Sequence, residues 1–399
     1  MKIILFDPVK TRQDLLPLTY TRPIADCRVG ILTIRQKWEH YLGNNSYSLT
    51  EAYLEAKYPA CKESGARIYI NGSILPTLPM VDVIKNLKEE QVLLDGNIIL
   101  AYCTAKSQIN YNNIEAIAHA AQKIAFTDSY QKVNYPFDIF KLNGGAIEAD
   151  FKLITVGRKS QPFSDTNTVL GDSSRLFIEE GATIECSILN TKGGVIYIGK
   201  DAEIMEGCTV RGPFALCEHS GLKMAAKIYG DTTIGPYCKV GGEVSNTVFF
   251  GYSNKGHDGF IGNSVIAEWC NIGADTNCSN LKNNYGTVEV WNYREEKYIG
   301  TGLQFHGLIV ADHAKSGINT MFNTGTIVGV AANVFGGGFP DKFIPSFSWG
   351  GANEFTTFLL DKAIEVASRM MERRGIALTQ ADIDILTEVC KRDTKYRVA

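Results

Sequence analysis

Aliphatic residues return at every sixth position through much of the second half of the chain, and this period limits the fold more than any other feature. Side chains of an extended strand alternate between two faces, so residues six apart share one face. Every sixth side chain can then point inward from short strands wound around a prism, with glycines and small residues at the corners. The residues in this register are Ile178, Ile184, Ile228, Ile234, Val240, Ile266, Ile272, Val310, Ser316, Phe322, Val328 and Val334.

The period predicts a single-stranded left-handed parallel β-helix of hexapeptide repeats over residues 151–350. Left-handed parallel crossovers break the usual handedness rule, so this prediction depends on the period alone. A β-sandwich with Gly-rich turns is the alternative, but it favours irregular spacings of about 8–12 residues. Two stretches, 218–227 and 285–305, interrupt the rhythm and are predicted to be insertions that carry binding groups.

The regions on either side of the repeats have different textures. Residues 1–150 alternate strand-like and helical segments, with Lys2–Phe6 as a strand and 114–125 as a helix, which favours an α/β domain. Gly144-Gly145 is interpreted as a linker. Residues 351–399 read as helices over 354–373 and 380–392, and we expect them to cap the β-helix or contact another subunit.

Composition excludes several classes of partner. The net charge of −3 offers no basic surplus for nucleic acid. The first apolar run has four residues before Asp7, which is too short for a signal sequence or a membrane span. The ten cysteines lack C-x-x-C spacing, as is typical of buried thiols in a reducing compartment. We therefore expect a cytoplasmic protein with no membrane partner.

The segment NKGHDGFIG, residues 254–262, contains the histidine best placed for chemistry. His257 lies between glycines, and a neutral imidazole can accept a proton as an amine attacks a carbonyl. Strand alternation predicts that Lys255 shares its face. The alternative is that His257 only forms hydrogen bonds within a turn. Polar residues in the same predicted coils favour the catalytic interpretation, and they are Glu243, Lys255, Asn271, Asn280 and Lys282.

From about 205 to 337 the chain resembles the acetyltransferase half of the bifunctional bacterial enzymes that acetylate and then uridylylate glucosamine-1-phosphate. The resemblance is carried by NKGHDGFIG, by NIGADT at 271–276 and by Asn280 in SNLKN. It implies acetyl-CoA as co-substrate, an amino-sugar phosphate as acceptor, and a homotrimer whose interface uses Trp291, Tyr293 and Tyr298. The resemblance implies His257 as the catalytic residue, Glu243 on the substrate side, Asn271 and Asn280 at the substrate, and Ala274, Ile318 and Gly336 at acetyl-CoA. We group Glu243 with His257 for catalysis and add Lys255, Phe260 and Lys282 to the substrate-binding residues.

The chain departs from that family where the family binds the sugar and its phosphate. Phe260 replaces a tyrosine, and Ser245 stands at the position of a phosphate-binding lysine. Three cations near the first interruption are the candidate replacements, namely Arg211, Lys223 and Lys227. Acyl transfer is therefore indicated more strongly than any particular sugar.

Residues 7–30 resemble the opening loop of sugar-nucleotide pyrophosphorylases, and LTYTRP with FSWGG at 347–351 resembles a divergent bacterial subgroup of sugar nucleotidyltransferases. The glycines of that loop are replaced by Pro8, Val9 and Lys10, its lysine by Ile24, and a metal-binding aspartate by Ser73. The domain is either an enzyme acting on a nucleoside triphosphate with Mg²⁺ or a binding module without turnover. The residues expected at the nucleotide are Arg12, Arg22, Asp26 and Arg28, with Lys37 nearby.

These interpretations combine into one functional hypothesis. The chain is predicted to acetylate an amino-sugar phosphate or nucleotide amino sugar, in combination with nucleotidyl transfer to a sugar-1-phosphate. Nucleotidyl transfer alone and a non-catalytic trimeric β-helix scaffold are the alternatives.

Overall fold

A computed structural model describes residues 2–397 and divides the chain into two compact units. The first unit contains the chain up to Cys27 together with Leu32–Tyr135. The second contains Arg28–Ile31 and the chain from Pro136 onward. None of the helices within residues 2–397 combines the length and the hydropathy needed to cross a membrane.

The first unit is built on a six-stranded mixed sheet and a separate pair of short strands. The strands are β1 Lys2–Phe6, β2 Ser46–Leu49, β3 Arg67–Asn71, β4 Ile74–Leu75, β5 Gln91–Asp95, β6 Ile98–Thr104, β7 Gln122–Ala125 and β8 Gln131–Lys132. The order in the sheet is β2-β1-β3-β6-β5-β7, and β4 and β8 form the separate antiparallel pair. The strands β2, β1 and β3 are parallel, β6 runs antiparallel to β3 and β5, and β7 is parallel to β5.

Short helices accompany this sheet and confirm the predicted α/β class. Thr33 and Gln36 form a reciprocal capping box that begins the second helix. The helix predicted over 114–125 is wrong in its second half, because the chain leaves the helix and pairs with β5 as an edge strand. The helices are α1 Val9–Asp14, α2 Ile34–Leu42, α3 Leu78–Lys85 and α4 Ile114–His119, with 3-10 turns at Leu18–Tyr20, Ile24–Asp26 and Ala52–Leu54.

The second unit begins with a 20-residue helix, α5 Pro136–Thr155. The linker predicted at Gly144-Gly145 is wrong, because both glycines lie inside this helix. The domain boundary predicted at residue 150 also falls inside the helix. A Cβ on Gly144 would lie 2.0 Å from Asp231 Oδ1. Gly144 therefore permits close packing of helix against β-helix rather than flexibility.

The rest of the second unit is the predicted β-helix. Parallel pairs such as Phe214 with Thr232 and Leu308 with Thr326 lie three hexads apart, which is one coil. Its strands are β9 Thr168–Leu170, β10 Leu176–Ile178, β11 Thr183–Ile184, β12 Ile188–Asn190, β13 Ile196–Ile198, β14 Glu203–Ile204, β15 Thr209–Arg211, β16 Phe214–Leu216, β17 Gly221–Leu222, β18 Lys227–Ile228, β19 Thr232–Ile234, β20 Lys239–Val240, β21 Glu243–Gly251, β22 Asn254–Lys255, β23 Phe260–Glu268, β24 Asn277–Cys278, β25 Glu289–Asn292, β26 Lys297–Gly300, β27 Leu308–Val310, β28 Lys315–Ser316, β29 Met321–Phe322, β30 Thr326–Val328, β31 Asn333–Val334, β32 Phe343–Ile344, β33 Ser348–Gly350 and β34 Phe355–Thr357.

All twelve positions in the predicted six-residue register are buried. Eleven of them belong to one continuous apolar core, and the polar member is Ser316. The hexad period therefore identified inward positions of the β-helix correctly between Ile178 and Val334.

The two predicted insertions have different outcomes. Residues 218–227 are an ordinary coil segment, because β17 lies within them and pairs with the coils before and after, so that prediction is wrong. Residues 285–305 do leave the coil and form the antiparallel hairpin β25–β26. Trp291 and Tyr293 pack on Phe343 and Tyr396 of the same chain, with Trp291 and Phe343 stacked at 4.5 Å between ring centroids. The hairpin thus uses these aromatics within the unit.

Two helices follow the β-helix, α6 Leu360–Glu372 and α7 Gln380–Arg392. The predicted bounds of α7 and its Thr379–Asp382 capping box are confirmed. The helix predicted from residue 354 begins later, because Phe355–Thr357 first pairs antiparallel with β33. Short 3-10 turns at Ser173–Arg175 and Asp393–Tyr396 complete the second unit.

Candidate functional site

His257 lies in a tight turn at a corner of the β-helix, between β22 on one face and β23 on the next. The turn is packed between neighbouring coils. A Cβ on Gly242 would lie 2.9 Å from His257 O, and a Cβ on Gly259 would lie 2.3 Å from Thr276 O. Both glycines have left-handed φ angles, +71° and +107°. The main chain is therefore closely confined, while the His257 side chain is exposed.

Lys255, two residues earlier, points the opposite way. Its side chain is 1% exposed, and its Nζ donates to the carbonyl oxygens of Gly241 (3.1 Å), His257 (2.7 Å) and Asp258 (3.2 Å). The prediction that it binds substrate beside His257 is wrong. Strand alternation ends at Gly256, where the chain turns the corner.

A cavity of about 800 Å³ opens beside the turn. His257 lines it together with a polar ladder, defined here as Lys239, Asn254, Asn271 and Lys315, which pair with one another from coil to coil. The predicted residues that it brings together are His257, Lys223, Asn271, Ala274 and Ile318.

The opposite wall of the cavity is the C-terminal end of α6 and the residues that follow it. Arg369, Met370, Arg373 and Arg374 line it, and Arg374 Nη2 donates to Asn254 Oδ1 at 2.9 Å. The sequence analysis assigned this helix no chemical role. Arg369 and Arg373 are four residues apart and so share a helical face, which is the signal that was missed.

The cavity is strongly cationic. The described residues that line it include six lysines or arginines and no carboxylate. Lys315 Nζ donates to His313 O at 2.8 Å, and burial lowers the Lys315 pKa to about 8. An anionic ligand would relieve the mutual repulsion of these cations. The cations of the cavity wall are Lys223, Lys239, Lys315, Arg369, Arg373 and Arg374.

Several predicted residues lie outside the cavity lining. Glu243 and Phe260 pair with each other on the other face of the same corner. Asn280 Nδ2 donates to Asn263 Oδ1 (2.8 Å), and Lys282 Nζ donates to Thr287 O (2.6 Å). Gly336 is exposed elsewhere in the last coils. These residues therefore do not share the cavity lining with His257.

Arg211 and Lys227 line a second, smaller cavity of about 300 Å³ on the face that begins with β9, β12 and β15. Exposed apolar side chains surround them, and Leu170, Ile188 and Tyr229 are each about 40% exposed. These two cations are accessible but separate from the lining of the His257 cavity.

In the first unit, Arg12 is buried among protein groups. Its guanidinium donates to Asp7 (3.0 Å), Glu51 (3.2 Å) and Tyr53 (3.0 Å), and also to the carbonyl oxygens of Thr19 and Arg22. Its side chain is 2% exposed. The expectation that Arg12 contacts a nucleotide is wrong for this structure, because its five donors already have acceptors.

The other residues predicted at the nucleotide are also held by the fold. Asp26 forms a bidentate ion pair with Arg35, at 2.9 and 2.7 Å. Arg28 is buried in the second unit, where it donates to Phe250 O (3.0 Å) and Ile31 O. Arg22 and Lys37 are 2% and 3% exposed. None of them offers an accessible charge of the kind that binds phosphates.

The expected magnesium position of the first unit is Ser73. Ser73, at the position of the expected aspartate, is buried and donates its hydroxyl to Asn71 Oδ1 at 2.6 Å. Within residues 2–397 there is no group of three or more His, Cys, Asp or Glu side chains that could hold a metal ion. At the position of the expected aspartate the chain therefore has a hydroxyl bonded to an amide oxygen, and not the carboxylate that Mg²⁺ prefers.

Comparison with known proteins places the first part of the chain. Residues 3–159 match the family model described as "Sugar nucleotidyl transferase". This part of the chain is therefore similar to sugar nucleotidyl transferases. The match begins at the first strand and extends through α5.

Curated relatives are similar over limited segments. A bifunctional sugar-1-phosphate nucleotidylyltransferase/acetyltransferase of Sulfurisphaera tokodaii is 30% identical over 146 residues, 36% of each chain. The bifunctional protein GlmU of Rippkaea orientalis is 26% identical over 158 residues, 39% of this chain and 28% of the relative. The matches thus span about a third of the relatives' length. Together with the family model they confirm the GlmU-like resemblance.

Solved structures show weaker similarity. The polySia-specific acetyltransferase NeuO covers 51% of this chain and 94% of its own, at 13% identity and a TM-score of 0.24. AntD, an N-acyltransferase from Bacillus cereus crystallised with dTDP-4-amino-4,6-dideoxyglucose and coenzyme A, covers 53% and 87%, at 10% identity and a TM-score of 0.23. These TM-scores are too low to support the fold assignment. The β-helix is instead established by the parallel strand pairings within the chain.

Proposed function

We propose that the second unit transfers an acetyl group from acetyl-CoA to the amine of a hexosamine phosphate or nucleotide-linked amino sugar in the cytoplasm, with His257 as general base. The observation that carries the proposal is the cavity in which an exposed histidine, the Asn271 amide and six cations meet. The amide and the imidazole can contact uncharged reacting groups, whereas the cations suit phosphates.

Coenzyme A matches this distribution of charge. Its nucleotide end is polyanionic, and its pantetheine arm is long and uncharged. Arg373, directly after α6, supplies charge to the cavity together with Arg369, which also pairs with Glu365. Ala274 and Ile318 supply small or apolar surface. We place the phosphates toward α6 and the thioester toward His257.

The proposed reaction needs one proton acceptor. The amine nitrogen forms a bond to the acyl carbon, the carbon–sulfur bond breaks, and the proton released by the amine passes through His257 to the departing thiolate. The products are the amide and free coenzyme A. An exposed, uncrowded imidazole at the mouth of the cavity suits this role.

Five predicted residues lie outside the cavity lining and would contact the substrate only from the adjoining face or from a second copy of the chain. They are Glu243, Phe260, Asn280, Lys282 and Gly336. We propose a homotrimer that covers the apolar face around the second cavity, which places Arg211 and Lys227 at a subunit boundary. Light scattering of the purified protein measures the mass, and a monomer would contradict this part of the proposal.

The test is release of free coenzyme A from acetyl-CoA against a panel of amino-sugar phosphates and nucleotide amino sugars. His257→Ala should lower kcat about a hundredfold or more, as expected for loss of a general base. His219→Ala, which removes another exposed histidine, is the matched control and should stay within threefold of wild type. Activity of His257→Ala within threefold of wild type contradicts the assignment. Failure of the wild type to bind coenzyme A favours the non-catalytic scaffold.

For the first unit we propose recognition of a nucleotide or sugar phosphate by a sugar nucleotidyl transferase domain, supported by the match over residues 3–159. Incubation with UTP or dTTP, a hexosamine-1-phosphate and Mg²⁺ separates turnover from binding. Pyrophosphate release supports nucleotidyl transfer, whereas saturable binding without pyrophosphate supports a binding module.

A further inference from the structure

Lys255 occupies a position that neighbouring coils fill with aliphatic side chains. It pairs with Val240 in the preceding coil, and Ile272 follows in the next. The members of this inward column in the coils before it and in the next coil are buried and apolar, and they are Ile184, Ile204, Leu222, Val240 and Ile272. The coil after Ile272 has the small hydroxyl of Ser316, and Val334 follows. Lys255 thus places an ammonium group at a position that is aliphatic in the adjacent coils.

The three donors of that ammonium are all used. Two of the carbonyls that it contacts belong to His257 and Asp258 in the turn, and the third belongs to Gly241 in the preceding coil. A protonated lysine has three N–H donors, so the three contacts account for all of them. The cation therefore ties the turn that carries His257 to the coil beneath it.

The fold alone does not explain a charge at this position. Burying an ammonium costs several kcal/mol of desolvation, and apolar replacements of buried charges are often neutral or stabilising. Confinement of the turn does require donors, because His257 O accepts a hydrogen bond from Lys255 Nζ, and Asp258 O accepts one from Lys255 Nζ and another from the Asp275 amide.

We infer that Lys255 is a positioning residue that fixes the main chain of the 256–259 turn and thereby the direction in which His257 enters the cavity. Its kinetic consequence rests on the proposed acyl transfer, but its structural consequence does not. Displacing a catalytic group by about 1 Å can cost a hundredfold in rate.

The arrangement predicts a dependence on pH. Burial lowers the Lys255 pKa to about 8, against an opposing effect of nearby anionic groups. A neutral amine has two donors for three carbonyls, so the turn should loosen above that pH. Between about pH 8 and the ordinary pKa of lysine, the unfolded chain holds this proton while the folded chain has released it. The free energy of unfolding should therefore rise with pH over this range. The ionisable groups that face it are Asp258, Asp275 and Cys278, with His257 in the same turn.

The test compares Lys255→Met with Leu222→Met, a volume-conserving control two coils earlier in the same column. The amides of Glu243 and Asp275 report directly on the turn, because they donate to Gly259 O and Asp258 O. We expect Lys255→Met to unfold at an equal or higher denaturant concentration, yet to exchange these two amides at least tenfold faster. Leu222→Met should not change them. Unchanged exchange of both amides in Lys255→Met overturns the inference.

If Lys255→Met does not fold, the wild type provides the same test. Exchange of the Glu243 amide, corrected for intrinsic pH dependence and divided by that of Gly221, which donates to Cys238 O, should rise between pH 7 and pH 9. A constant ratio overturns the inference.

The kinetic experiment separates the two proposals. With acyl transfer established, Lys255→Met should lower kcat at least tenfold with KM within about twofold, and should lack the decline of activity above about pH 8. A kcat within threefold of wild type overturns the positioning role. If the wild type shows no acyl transfer but the exchange results hold, the proposed function fails and the positioning role stands.

Discussion

The cations of the first unit and those of the β-helix differ in what they contact. Arg12 is enclosed by Asp7, Glu51 and backbone carbonyls and is almost completely buried. Arg373 and Lys239 face an open cavity whose described lining contains no carboxylate. One set of charges is neutralised within the fold. The cavity set faces a lining without carboxylates, although Arg369 also pairs with Glu365 on its own helix. A basic residue in a motif-like segment therefore indicates a ligand only when the fold leaves its charge unmatched.

The largest expected effect is on the buried set. Arg12→Met should lower the free energy of unfolding by about 3–5 kcal/mol, because it leaves the Asp7 carboxylate buried without its cation. Chemical denaturation measures this loss. Lys10→Met, an exposed change on the same helix, is the control. A loss below about 1 kcal/mol for Arg12→Met would show that the cluster is not structural and would reopen it as a nucleotide site.

A second test concerns His306. Unlike the exposed His257, His306 is buried, and its ring makes edge-type contacts with Phe137 and Phe140. Burial lowers the His306 pKa to about 4, below its ordinary value of about 6.5. The unfolded chain takes up this proton first as the pH falls, so the stability contribution is present above pH 6.5 and is lost toward pH 4. Each pH unit is worth up to about 1.4 kcal/mol. His306→Phe should flatten this slope in denaturation measured from pH 7 to pH 4; an unchanged slope contradicts the assignment.

The cavity set should show the opposite behaviour to Arg12. Arg373→Ala should weaken coenzyme A binding about tenfold, since a hydrogen bond to a charged group contributes about 1.5–3 kcal/mol, and should leave unfolding unchanged because the side chain is exposed. Calorimetry measures the affinity. Arg392→Ala on α7 removes an arginine that does not line the cavity and is the control. Equal affinities for the two variants would remove α6 from the binding site.

Salt gives the smallest expected effect. Raising ionic strength from 50 to 200 mM should weaken coenzyme A binding severalfold, because the cavity is open to solvent. The buried Arg12 cluster is screened much less, so the unfolding of the first unit should change little over the same range. Salt-independent binding of coenzyme A would contradict a site formed by unmatched cations.

Periodic features could be predicted from the sequence because they are local. The inward register from Ile178 to Val334 and the bounds of α7 follow from spacing and capping residues. The contribution of Arg369 and Arg373 could not be read from spacing, because it requires α6 to fold back over the polar ladder. The prediction that Lys255 shares a face with His257 failed for a related reason. The alternation of side chains along a strand does not show where the strand ends and a corner of the β-helix begins.

Stacked aromatic rings along one corner of the β-helix were also missed. Tyr252 lies 4.9 Å from Tyr237 and 4.3 Å from Trp269, measured between ring centroids, and each residue has a positive φ. Irregular coil lengths separate them in sequence, so no constant spacing marks the column. Such alignment is a property of the coiled structure and not of any local segment.

The most direct test of the account is a crystal structure of the protein with coenzyme A. The account predicts density in the cavity between the His257 turn and α6, with phosphates near Arg373 and the sulfur toward His257. Coenzyme A bound instead beside Arg211 and Lys227 on the other face, with the His257 cavity unoccupied, would contradict it.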